Sequence, residues 1–158
     1  MVRALESKDN SAIRNIIRTV MPEFGASGQG FAIHDAEVED MRAAYSRKGH
    51  AYFVYEENGI ILGGGGIGSL KGGDATTCEL KKMYFLPEGR GKGMGQQVLT
   101  ACLKAAKELG YTTCYLETFN TMHQAMKLYE RNQFKKINGP CGSTGHFACD
   151  IFYQKKLS

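Results

Sequence analysis

Tryptophan is missing from this chain, proline appears only three times, and no apolar run nears the roughly 20 residues that span a bilayer. The first residues hold no apolar signal core. Export and membrane insertion are therefore not expected, and the expected location is the cytoplasm. Cysteine pairs of the C-x-x-C kind are absent too. The five cysteines (Cys78, Cys102, Cys114, Cys141, Cys149) are an odd number without zinc-site spacing. Cys102 falls in a helical apolar stripe and Cys78 and Cys114 in strand-like runs, as free thiols do in a reducing compartment. His146 and Cys149 lie three apart, but one such pair does not make a metal site, so no metal is expected. The net charge is only +4, without the long basic stripe of a nucleic-acid surface. Neither nucleic acid nor membrane is expected as a partner.

What is present is an ordinary globular composition, 42% hydrophobic and 23% charged over 158 residues, enough for one domain spanning 1–158. Val2 to Leu5 reads as a short strand. After Ser7, a plausible cap, Ile13, Ile16, Ile17 and Val20 recur at helical spacing as far as Pro22. Residues 24–34 are glycine-rich and loop-like. Asp35 reads as the cap of a second helix over Ala36 to Tyr45. Ala51 to Tyr55 and Ile60 to Ile67 form a hairpin about Asn58-Gly59, and Thr77 to Leu86 is a strand stopped by Pro87. A long helix from Gly93 to Leu109, a strand from Thr112 to Phe119 and a helix from Met122 to Arg131 follow. Phe134 to Ile137 and Ala148 to Lys155 are the last strands. This order predicts an α/β fold with a mixed sheet flanked by helices.

The most informative stretch is Arg90-Gly-Lys-Gly-Met-Gly95, directly after the strand end Met83 to Leu86 and Pro87. Three glycines bare the backbone of a turn, and the helix that follows aims its unpaired first-turn N–H groups and positive dipole end at that turn. A polyanion fits such a cradle, and Lys81, Lys82, Arg90 and Lys92 add nearby charge. The glycine order matches neither the dinucleotide turn G-x-G-x-x-G nor the nucleotide-hydrolase loop G-x-x-x-x-G-K-[ST].

Arg-x-x-Gly-x-Gly behind a strand ending in proline resembles the acetyl-CoA signature of the GNAT superfamily of N-acetyltransferases. Asn120, Ala125-x-x-Leu128-Tyr129-Glu130 and Phe134 are similar to that family's second element. The family pattern often ends in Gly-Phe, and here it reads Gln133-Phe134. The resemblance implies a GNAT fold with a mostly antiparallel, split central sheet, and acetyl-CoA as cofactor. It further implies that Met83, Tyr84 and Phe85 line the pantetheine arm and that Arg90, Gly91, Lys92, Gly93, Met94, Gly95 and Gln96 hold the pyrophosphate. Asn120, Ala125, Leu128 and Tyr129 complete the cofactor side.

For chemistry, Tyr129 is the expected acid that protonates the departing thiolate, and its helix face reads equally as core packing. Glu79 sits mid-strand four residues before Met83, on the same face unless a bulge intervenes. It is the expected base for an incoming amine or else a solvent-facing charge. Cys149 as an acyl carrier is disfavoured because no paired base is evident. The family layout puts the acceptor over residues 24–35 and 141–150, with Phe31, His34, Asp35, Thr118, His146 and Asp150 as candidate contacts. The expected function is acetyl transfer to a primary amine, in a small molecule, amino acid or peptide. The alternative is a catalytically silent acyl-CoA sensor acting on a protein partner. A homodimer is compatible with the pattern.

Overall fold

The computed structural model describes residues 1–158. Seven strands form one sheet: β1 (Val2–Ala4), β2 (Ala51–Glu57), β3 (Ile60–Ser69), β4 (Thr77–Phe85), β5 (Thr113–Thr118), β6 (Lys135–Ile137) and β7 (Ile151–Lys156), in the order β1-β2-β3-β4-β5-β7-β6. Every neighbouring pair is antiparallel except β4 and β5. The helices are α1 (Asn10–Glu23), α2 (Met41–Tyr45), α3 (Met94–Glu108) and α4 (His123–Arg131). The mixed, mostly antiparallel sheet with helices on its faces is the expected architecture. No helix is long and apolar enough to cross a membrane.

Two cores form because the sheet is apolar on both sides. The stripe Ile13, Ile16, Ile17 and Val20 of α1 packs with Met41, Tyr45, Tyr52 and Val54 on one face. On the other, Val98, Leu99, Cys102 and Leu103 of α3 pack with Ile67, Leu80, Met83 and Tyr153. Strand β3 runs between them without side chains from Gly63 to Gly66. A Cβ on Gly63 would come within 2.2 Å of the Phe85 ring, and one on Gly66 within 2.5 Å of Tyr52. Residues of β2 and β4 therefore lie across it.

The expected second helix is broken. Ala36–Glu39 is a 3-10 turn, Asp40 turns out of helical geometry (φ −144°, ψ 82°), and only Met41–Tyr45 is α-helical. Asp40, not Asp35, caps it by accepting the Ala43 N–H at 3.0 Å. Asp35 is drawn away by stronger partners. Ser7 lies inside a 3-10 turn, and the carboxylate of Asp9 instead accepts the Glu6 N–H at 2.8 Å. The last strand starts at Ile151 rather than Ala148, because the Asp150 N–H turns to Thr118 O. Gln133, where the resembled pattern has glycine, adopts φ +67°, a left-handed conformation that glycine reaches without a Cβ clash.

Candidate active site

Strands β4 and β5 pair only from Thr77 to Glu79 against Thr113 to Tyr115, then separate. Beyond Glu79 the β4 edge facing β5 has no ladder partner, and a narrow wedge of ≈ 40 Å³ opens between the strands. A bulge on β4 helps to turn it. Gly64 faces Tyr84 and Gly66 faces Lys81, so Lys82 and Met83 together oppose Gly65, with Lys82 at φ +52°. The bulge flips the alternation. Met83 and Phe85 pack on the α3 side and Tyr84 on the α1 side. Glu79 shares the α1 and α2 side with Lys81, lining a cleft there with Asp35 and Glu37. The bulge is the exception to strand parity, and it leaves Glu79 and Met83 on opposite faces.

On the cofactor side, the turn before α3 has left-handed glycines at Gly91 (φ +76°) and Gly93 (φ +80°), both with open space where a Cβ would stand. The first α3 bond runs from the Gln97 N–H to Gly93 O at 3.1 Å. The amides of Met94, Gly95 and Gln96 thus precede the hydrogen-bonded ladder and point out of the helix end. These bare amides fit a pyrophosphate. Leu128 lies 3.2 Å from the position of a Gly95 Cβ, and Gln96 exchanges amide bonds with Asn132 at 2.8 and 2.9 Å, so α4 is fastened to the start of α3. Ala125 lies half-buried between the two cores, Lys92 is exposed, and Asn120 is exposed in the turn after β5.

Arg90 departs from the expectation of a charge on the rim. Its guanidinium donates to Phe85 O at 2.9 and 3.0 Å, pairs with Glu23 and stacks 5.2 Å from the Phe24 ring centre. It braces the loop against β4 and α1. Lys81 and Lys82 are also not beside the turn. Both side chains reach toward Glu37, Lys81 at 3.7 Å and Lys82 at 2.6 Å, Lys81 by the strand's own alternation and Lys82 because the bulge turns it to the same face.

Tyr129 lines the wedge with Met83, Thr118, Met122 and Cys149. Its ring packs on Phe134 and Tyr153, with centroids 5.8 and 5.9 Å away. Burial pushes the phenol well above its ordinary range, so it stays protonated. Packing and an acid's protonation state coexist in one residue. Cys149 remains a thiol as well. Burial and the Glu117 and Glu79 carboxylates push it up to about 12, which counts against a thiolate nucleophile.

A wider cleft of ≈ 420 Å³ lies on the α2 side, lined by Asp35, Glu37, Arg47, His50, Lys71, Glu79, Lys81, Thr144 and His146. Its inner wall is an ion network. Lys82, its side chain fully buried, donates to Asp35 at 2.7 Å and to Glu37 at 2.6 Å. His146 Nε2 meets Asp35 at 2.8 Å, and Nδ1 lies 3.3 Å from Glu117. Burial alone would lower His146, but hydrogen bonds to Asp35 and Glu117 outweigh it and raise it to about 9. Burial would likewise raise Glu37, but Lys82 and Lys81 hold it at about 2. Glu117 also accepts from the hydroxyls of Thr144 and Tyr115. Donor atoms of Glu79, Glu117 and His146 lie within 4.8 Å of one another. Both His146 nitrogens already face carboxylates, so a metal there would have to displace one of these contacts.

Glu79 is the exception in this network. It is 5% exposed, lines both the wedge and the cleft, and is shifted by burial and charges with no hydrogen bond among the causes. Burial dominates and raises it to about 7, against the pull of Lys81. A carboxyl that titrates there can accept a proton near neutral pH.

Among the acceptor candidates, Asp35, Thr118 and His146 line the two cavities, and Phe31 supports them by an edge contact with Phe119 at 5.0 Å. His34 and Asp150 line neither. His34 is bonded to Ser27 O at 2.8 Å, and Asp150 is exposed. Sequence reasoning missed Glu37, Arg47, Lys71 and Glu117, which only the folded chain brings to the two cavities.

Residues 12–134 match the family described as the acetyltransferase (GNAT) family. The uncharacterized N-acetyltransferase YjgM of Escherichia coli (strain K12) is 39% identical over 158 residues, covering 99% of this chain and 95% of that protein. A GNAT-family acetyltransferase structure from Staphylococcus aureus Mu50 superposes with a TM-score of 0.86 at 21% identity, covering 100% and 99% of the two chains. The structure of yncA from Salmonella typhimurium, solved with its cofactor acetyl-CoA, gives 0.77 at 20% identity over 100% and 94%. The chain belongs to the acetyltransferase (GNAT) family.

Proposed function

We propose that this GNAT-family acetyltransferase uses acetyl-CoA to acetylate a primary amine by direct attack, with the donor in the wedge and the amine in the cleft. The observation that carries this reading is Glu79, an unpartnered carboxyl at about 7 facing both cavities at the point where they meet. An amine must lose its proton to attack, and a base at that junction can take it directly or through one water.

The bare amides of Met94, Gly95 and Gln96 would hold the pyrophosphate, and the unpaired edge of β4 around Met83 and Phe85 would hold the pantetheine arm. Acetyl-CoA supplies the acetyl group as a thioester, whose C–S bond breaks as the new C–N bond forms. Glu79 takes the ammonium proton. Tyr129, kept protonated by burial, holds a proton for the leaving sulfur. Amides on the β4 edge can steady the carbonyl oxygen, an effect worth about 3 kcal/mol in comparable sites. The five free cysteines suit a reducing compartment, and we place the reaction in the cytoplasm.

Release of free thiol from acetyl-CoA, followed across a panel of primary amines, tests this directly. Amine-dependent release with a matching mass gain of one acetyl group is the expected result. Tight acetyl-CoA binding without turnover on any amine would point instead to the silent sensor.

A further inference from the structure

Building on that reading, we propose that the acceptor is a free amino acid: an amine that carries its own carboxylate, with the ammonium on Glu79 and the carboxylate on Arg47, Lys71 and Lys81 at the mouth of the cleft. The argument starts from which charges are already spent. Asp35 is neutralised by Lys82 and His146, and Glu37 is held by Lys82 at 2.6 Å, by Lys81 at 3.7 Å and by a hydrogen bond from the Tyr45 hydroxyl at 2.7 Å. Those two acids have nothing left for a substrate ammonium. Glu79 alone does.

The cations around the cleft outnumber what the one carboxylate of Glu37 can hold. Lys71 has no carboxylate partner, and Arg47 is 60% exposed with its nearest carboxylate, Glu37, at 3.9 Å. Lys81 is only 14% exposed, 3.7 Å from a Glu37 oxygen that already holds Lys82. His146 is cationic as well, whereas burial lowers His50, leaving it neutral. An amine bearing only positive charge would meet an excess of like charge before reaching Glu79. A carboxylate on the same small molecule reverses the sign of that encounter and offers the three cations a charge-assisted partner.

Depth orders the two charges. Glu79 is at the floor, 5% exposed, while Arg47 and Lys71 stand at the mouth. The mouth is also held in place. Arg47 Nε donates to Ala44 O at 2.9 Å, and the Lys71 carbonyl accepts the Ser143 N–H at 2.7 Å, tying that turn to the 141–150 loop. The lining has a single apolar residue, Ala36, so recognition rests on charge and hydrogen bonding.

The test compares the protein amino acids with their carboxamides and with the matching decarboxylated amines. Thiol release is measured at one pH and corrected for the fraction of free amine. The carboxylate should raise kcat/KM by about ten- to a hundredfold over the amide, the range for hydrogen bonds to a charged group. Arg47→Gln with Lys71→Met should narrow that ratio through a higher amino-acid KM, with the KM for acetyl-CoA following the wild type. Both side chains are largely exposed, so the fold should tolerate the changes. Amides, decarboxylated amines or polyamines that equal or exceed amino acids would overturn the assignment, as would a ratio that the double variant does not move. Thiol release with none of the amines would instead overturn the acetyltransferase reading on which it rests.

Discussion

Glu79→Gln should make the protein more stable and nearly inactive at once. The glutamine keeps the shape of the side chain but cannot carry the buried charge. In the wild type, burial lifts the carboxyl from 4.5 to about 7, so the folded state holds its proton more tightly than the unfolded chain. Stability is therefore complete below 4.5, falls as the pH rises from there through about 7, and stays reduced above. At 1.36 kcal/mol per pH unit, the charge costs about 3 kcal/mol at pH 8. Urea titrations at pH 5 and pH 8 measure it. The variant should gain roughly 1–2 M in midpoint at pH 8, for a slope of roughly 2 kcal/mol per M, and little at pH 5. In the same variant kcat should fall by about 10² to 10⁴, and the inflection near pH 7 in kcat/KM should vanish. An active variant that keeps this inflection would refute the role of Glu79 as base. An absent stability gain at pH 8 would refute the claim that its charge is buried at a cost.

Three further expectations follow from the site. Tyr129→Phe should preserve folding and acetyl-CoA affinity while lowering kcat by about 10² or more, with a smaller loss for acyl donors of a more acidic thiol; full kcat in a chemistry-limited step would make it a packing residue alone. Gly93→Ala puts a methyl where φ is +80° and the space before α3 is open, so calorimetry should show acetyl-CoA affinity down more than about tenfold, beside roughly 1–2 kcal/mol of lost stability; unchanged affinity would remove that turn from the cofactor site. His146 is raised to about 9 in the folded protein, so its contribution is complete below 6.5 and is lost as the pH rises through about 9. Denaturation midpoints should fall over that window in the wild type and less steeply in His146→Gln, and parallel curves would show that the clamp between Asp35 and Glu117 contributes nothing.

The turn before α3 was legible because its geometry is written in backbone terms: alternating glycines and a helix start need no partner elsewhere. Glu79 also stood out, as a carboxylate within a strand. The position of the bulge was not legible, since Lys82 rather than a glycine takes the left-handed conformation, and without it Met83 comes out on the face of Glu79. Arg90 looked like a free cation because its partner Glu23 lies 67 positions away. The clamp joining Asp35 to His146 spans 111 positions, and no local pattern encodes a pair that only the closed sheet brings together. The broken second helix has the same origin. Asp35 reads locally as a cap, and the fold takes its carboxylate for Lys82.

The glycine run of β3 has a consequence for how this sequence can vary. Gly65 faces the two residues of the bulge, and a Cβ there would stand 2.8 Å from the Met83 side chain and 3.1 Å from Val98. Gly66 stands in the same relation to Tyr52. Neither glycine can grow alone, and shrinking a neighbour alone leaves a void beside a glycine run with no side chain to fill it. Change at these positions is open only in concert, so the strand with the least chemistry of its own ties the histories of β2, β4 and α3 together.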